Sequence, residues 1–240
     1  MVLRRVIEHV RAQNWTAVAI DFLIVVVGVY IGIQLDNWNE ARRDANAQAA
    51  LLERLEEEFA LVEPALENWL ALVTASFAGT QAVIVALRDE NPPADEAAFR
   101  FALARSNWVA SVPELAATYS ELVSTGRLSD LRDPALRDAL TSYGDAHAQI
   151  TRVYTGAVQI VFNPASNYYR AVDWRVEPDT WESNDAILAY DWETLRASRA
   201  EMQAWLPFQH DLTVYGGREL ETIRRILAIL GETEQSRSRP

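Results

Sequence analysis

The sequence predicts an all-α protein: one N-terminal transmembrane helix continuing into an extramembrane helical bundle of about five to seven helices. Three observations carry that expectation. The 19-residue stretch from Ala17 to Leu35 is apolar except for Asp21 and Gln34. The rest of the chain places apolar residues at helical spacing in one segment after another. No strand-like alternation lasts long enough to build a sheet, and no repeat of fixed period is apparent.

Composition narrows the classes. The 240 residues include no cysteine, which removes disulfides, thiolate metal sites and cysteine nucleophiles. The net charge is -12, unevenly spread. Residues 1–15 hold Arg4, Arg5 and Arg11 against Glu8. From Asp36 onward there are 19 Arg and 32 acidic residues. Such an acidic body argues against nucleic acid as a partner, because that binding needs clustered cations. All 22 basic residues are Arg.

The apolar stretch has the length of an anchor. A span needs about 20 apolar residues at about 1.5 Å each. Trp15 and Trp38 bracket it at roughly 34 Å of helix, and both are expected at the membrane interface. A cleaved signal would need a shorter apolar region and a small-residue exit. Here the exit reads "IQLDNWNEARR". The domains expected are a short cytoplasmic or interfacial segment 1–15, a transmembrane helix 16–36, an extracytoplasmic helical domain 37–230 and a disordered tail 231–240. Arg4, Arg5 and Arg11 against Arg42 and Arg43 place the N-terminus in the cytoplasm. Leu3, Val6, Ile7 and Val10 share a helical face, which also suits the membrane surface.

At 100° per residue, Asp21, Gly28 and Gly32 fall within an arc of about 40°, with Ala17 nearby. Gly28 and Gly32 form a small-xxx-small pair that admits a second helix closely. Ala17, Asp21, Gly28 and Gly32 are therefore the predicted helix–helix contact, toward a membrane protein partner or a second copy. The bland alternative is that Asp21 is hydrated near the headgroups or protonated, and that the glycines do nothing.

Asp21, Gly28, Gln34 and "DNWNE" from Asp36 to Glu40 resemble the N-terminus of an uncharacterised bacterial family of single-pass membrane proteins, a domain of unknown function. Its anchor ends in a Gln-x-x-Asn-Trp-Asn-Glu sequence. Many members carry Ala at the place of Gly32 and Glu at the place of Asp21, which keeps both the small spacing and the charge. A second stretch, Tyr119 to Tyr143, is similar to the family at Tyr119, Leu122, Gly126, Leu128, Leu131, Leu136 and Arg137. The family has no assigned activity. The resemblance implies architecture and a bacterial inner-membrane location, not a reaction.

Beyond the anchor the elements follow from local signals. Leu51, Leu52, Leu55, Phe59 and Val62 predict a helix continuing the anchor, with Glu53, Glu56, Glu57 and Glu58 as its solvated face. Pro64 is expected to break or kink it. A second helix carries Leu66, Trp69, Leu70, Val73, Phe77, Ile84 and Leu87, and ends near Pro92-Pro93. Asp95 caps a short helix to about Ser106. Pro113 suits the first turn and Gly126 the C-cap of the next. Asp133 and Pro134 open a helix that reaches Phe162 and stops at Asn163-Pro164. Residues 163–185 read as a loop. A helix is expected from about Asp185 to Trp205. Pro207 then breaks the chain before a last helix with Leu220, Ile223, Leu227 and Leu230, which Gly216-Gly217 can kink.

Catalytic chemistry finds little support. His9 precedes the span. Asp145 and His147 are two apart, so on a helix they do not share a face, and His210 adjoins Asp211. No metal, cofactor or catalytic residue is expected, and no phosphate-binding glycine loop or nucleophile elbow occurs. The candidate partner surface is the aromatic loop: Tyr168, Tyr169, Arg170, Trp174, Arg175 and Trp181, residue types enriched at binding hot spots. The competing reading is a packed loop that seals the core. The functional expectation is a protein-interaction or accessory module. The alternatives are a ligand-sensing periplasmic domain signalling through a membrane partner, and a hydrolase with an unrecognised site.

Overall fold

The computed structural model describes residues 15–176 and 186–237. The segment before Trp15, with Arg4, Arg5, His9 and Arg11, lies outside these, as does Trp181. The protein is mostly helical, as expected, with seven α-helices among the described residues. They are α1 Trp15–Ala86, α2 Glu96–Ser106, α3 Ala117–Ser124, α4 Pro134–Val161, α5 Asn167–Ala171, α6 Trp192–Ala197 and α7 Arg199–Arg237. A 3-10 turn covers Arg127–Asp130, and β1 Val172–Trp174 and β2 Ile187–Tyr190 form a two-stranded sheet. The chain divides into two compact units, Met1–Leu51 and Leu52–Pro240.

In the first unit the apolar stretch is helical throughout. Every large apolar side chain from Ile20 to Leu35 is 45–70% exposed, and none is covered by folded chain. α1 is long and apolar enough to cross a membrane. A second apolar part of α1, residues 69–86, differs. There Trp69, Val73, Val83 and Ile84 are buried in the core of the second unit.

Two prolines expected to break helices do not. Pro64 lies inside α1 and Pro207 inside α7. A helical proline leaves the carbonyl four residues earlier without its donor. Both prolines are exposed, and so are Ala60 and Gln203, the residues four before them. Water can satisfy those carbonyls, so the helices continue. The last helix likewise persists to Arg237, past the start of the expected tail at 231.

The second unit folds around α4 and α7. α4 is stapled at its start by Asp133, whose side chain accepts from the Ala135 and Leu136 N–H groups, with Pro134 in the first position. Its core stripe is Leu136, Ala139, Leu140, Tyr143, Ile150, Ala157 and Val161. α7 answers with Met202, Trp205, Leu212, Leu220, Ile223, Ile226 and Leu230. From α1, Leu55, Phe59, Leu66 and Trp69 are buried as well. α2 is capped by Asp95, whose side chain accepts from Ala98 N–H at 3.0 Å. α3 starts at Ala117, four residues after Pro113, and ends at Ser124, with Gly126 just beyond its cap at a φ of 71°, the left-handed geometry that terminates helices.

The expectation of no sheet is corrected. β1 and β2 pair antiparallel, with a register shift between Asp173 and Trp174 that leaves Leu188 as the extra residue. Arg100 holds this bulge: its Nη1 donates to the Ile187 and Leu188 carbonyls at 3.0 and 2.8 Å. Glu96 pairs with the same guanidinium at 2.6 Å, which also lies over the Tyr190 ring. The strand pair occupies ground read from sequence as loop and helix.

Close approaches set the helix register. A Cβ at Gly144 of α4 would lie 1.9 Å from the Tyr119 hydroxyl oxygen and 2.9 Å from Cζ. Gly144→Ala is therefore expected to lower the melting temperature, although alanine gains about 1 kcal/mol of helix propensity. The double variant with Tyr119→Leu should recover part of the loss. Thermal denaturation of the set measures this, and a Gly144→Ala variant as stable as the parent would refute the packing.

Candidate functional site

Two regions draw attention, one in each unit. In the first, positions 17, 21, 28 and 32 all lie on the continuous helix α1. Nothing lies within 4 Å of a Cβ added at Gly28 or Gly32. The small-residue strip is open, with Val25 and Ile24 exposed beside it. Trp38 is 59% exposed at the polar end.

In the second unit the structure divides the predicted aromatic surface. Tyr168 is fully buried. Its hydroxyl donates to the Leu103 carbonyl at 2.9 Å, and its ring meets Trp205 edge-on. It belongs to the core with Phe99, Leu103, Val172 and Ile187, so it is removed from any docking face. Ser166 is the reason: it caps the five-residue α5 by accepting from Tyr169 N–H, and this short helix places Tyr168 inward. Tyr169 and Trp174 are half-buried and packed against that core. The Tyr169 hydroxyl accepts from Asn107 Nδ2 at 3.0 Å. Arg170 is exposed and donates to Asn167 Oδ1. Arg175 is half-buried. The segment thus mainly seals one end of the core, as large aromatics usually do.

Sequence reasoning missed a polar cluster built by four elements. Glu58 of α1, expected on a solvated face, accepts from Thr118 N–H at 2.7 Å and from Thr118 Oγ1 at 2.6 Å. It supplies the N-terminal cap that Ala116 cannot give α3. The Tyr143 hydroxyl accepts from Ala116 N–H at 3.3 Å, and its ring packs edge-on against Phe59 and Tyr119. One turn on, His147 Nδ1 lies 3.1 Å from Glu219 Oε1 of α7. Their side chains are 14% and 2% exposed. Glu219 Oε2 has no hydrogen-bond partner among the described residues. The signal was available: His147 continues the α4 stripe Leu140-Tyr143-Ile150, and Glu219 interrupts the α7 stripe Leu212-Leu220-Ile223. A polar residue on an apolar stripe marks a buried partner.

Chemically, His147 and Glu219 form a shielded hydrogen-bonded pair. Among the described residues no group of three or more His, Asp or Glu could hold a metal. His210 lies 3.5 Å from its neighbour Asp211, largely exposed, with its ring near that of Phe77. Comparison with protein-family models, curated proteins and solved structures gives no match.

The buried groups set measurable stability effects. His147→Ala removes the partner that the buried Glu219 carboxylate has among the described residues, and breaking such a pair costs about 3 kcal/mol. Adding Glu219→Gln should return most of that loss, as read by urea denaturation at neutral pH; equal stability of the single variant and the parent would refute the pairing. Burial pushes the phenols of Tyr119, Tyr143, Tyr168 and Tyr190 up from 10.0 and that of Tyr169 up to about 12. Above pH 10 the unfolded chain releases protons that the folded chain retains, so stability falls as pH rises. Tyrosinate absorbance and helical circular dichroism should therefore change together in alkaline titration, while free ionisation with helices intact would contradict the burial.

Proposed function

We propose that the chain is a single-pass protein of a bacterial inner membrane whose periplasmic helical bundle serves as a protein-interaction or accessory module, not as an enzyme. The observation that carries the anchor is the run from Ile20 to Leu35, in which every large apolar side chain is exposed. A soluble protein folds such a helix against something else. Hydrocarbon covers it at no cost in unpaired backbone, because the helix satisfies its own hydrogen bonds. The bracketing Trp15 and Trp38 and the resemblance at Gln34–Glu40 support the same reading. The N-terminal arginines support a cytoplasmic N-terminus and an outward acidic domain.

The interaction role rests on the Ala17–Asp21–Gly28–Gly32 strip, which suits close helix contact, with a membrane protein or a second copy as partner.

Membrane fractionation tests the anchor: the full chain should resist an alkaline wash, and recovery in the wash would overturn it. Asp21→Leu and Gly28→Ile test the strip. Each should weaken self-association or co-purification by about 1 kcal/mol, roughly five-fold. Unchanged association in both variants would remove the strip from the proposal.

A further inference from the structure

The first turns of α1 beyond the apolar run hold an exposed arginine. Arg42 lies over the Trp38 ring, with its guanidinium carbon 5.8 Å from the ring centroid. Among the described residues it makes no ion pair, although Asp36, Glu40 and Asp44 are close in sequence. Helix geometry also sets Arg42 apart from these acids. At 100° per residue the three acids sit within an arc of about 80°, and Trp38 and Arg42 lie on the far side. Arg43 falls on the acidic side.

The direction of the side chain matters as much as its face. Helical side chains lean toward the N-terminus, which here is the apolar run. The Arg42 backbone lies about 10 Å past Leu35, beyond a headgroup layer of about 5–7 Å. Its contact with Trp38 brings the guanidinium back by about one turn, into the depth where an interfacial tryptophan sits. There it presents a planar fork of N–H donors with no protein carboxylate to take them. Phosphate diester oxygens are the anions at that depth, and the fork matches them.

From this geometry we infer that Trp38 and Arg42 form a phospholipid headgroup site, in which the Arg42 guanidinium grips the lipid phosphate and Trp38 holds the guanidinium at headgroup depth. The site rests on the membrane-anchor reading and adds a ligand to it. It favours anionic phospholipid, since the basic fork faces away from the acids of its own helix. Arg43 belongs to the acidic side and takes no part.

The test uses the full chain in nanodiscs of phosphatidylcholine with a minor share of phosphatidylglycerol. Native mass spectrometry then counts the phosphatidylglycerol retained after extraction. The parent and Arg43→Gln are expected to retain it alike. Arg42→Gln should retain about five-fold less, the scale of one cation at an anionic surface. Trp38→Ala should lose nearly as much with the charge intact, and Arg42→Lys should fall between. Equal retention in the parent, Arg42→Gln and Trp38→Ala overturns the site. A nitroxide on Val27→Cys, the only cysteine in the chain, separates this result from failure of the anchor. If the nitroxide is shielded from an aqueous nickel chelate while retention is equal, the anchor stands and the lipid site falls. If it is exposed, both fall.

Discussion

An apolar helix surface with nothing folded against it has to find another cover, and this requirement governs the N-terminal unit. Twelve large apolar side chains from Ile20 to Leu35 are exposed. Fully withdrawing such a side chain from water is worth about 1.5–3 kcal/mol, and roughly half of each remains exposed. Together the exposed parts are comparable with the net stability of a typical domain, about 5–15 kcal/mol. No rearrangement of a few neighbouring side chains can supply that cover. A hydrocarbon layer can, and the helix is already self-sufficient in backbone hydrogen bonds. The polar residues Asp36, Asn37 and Asn39 end the apolar run.

The second unit meets the opposite problem, which is polar groups inside an apolar core. Each is met by a partner far away in sequence. Glu58 caps α3 across 60 residues. Glu219 reaches His147 across 72. Gln209 donates to Ser76 Oγ and to the Ser106 carbonyl, which also receives the Thr80 hydroxyl. Such contacts add little net energy, but misplacing one by a helical turn strands it without a partner. They therefore select one register of α7 against α1 and α4. The contact of Gly216 with Trp69 selects the register of α7 against α1 sterically, and that of Gly144 with Tyr119 sets α4 against α3, since neither leaves room for a Cβ.

The aromatic segment shows how composition alone misjudges a surface. Tyr, Trp and Arg in close succession have the make-up of a docking site. The same residues also have the area needed to close the end of a helical core. What decides between these is the direction a short helix gives each side chain. The turn capped by Ser166 sends Tyr168 inward to Leu103 and Trp205, and leaves Arg170 outside.

Local chemistry explains what the sequence by itself determined. The apolar run, the Asp95 and Asp133 caps, the Gly126 terminator and the stop at Asn163-Pro164 depend on residues a few positions apart, and all could be placed in advance. The tertiary structure decided whatever depended on environment or on distant pairing. Pro64 and Pro207 stay within helices because the carbonyls they orphan face water. The strand pair forms because Val172–Trp174 meets Ile187–Tyr190 and Arg100 holds its bulge, none of which a local pattern contains. Glu58 leaves the solvated face expected of it only when α3 arrives beside it, and Glu219 finds its partner only when α4 does. A residue's type states what it can bond, and only the packed chain decides what comes within reach.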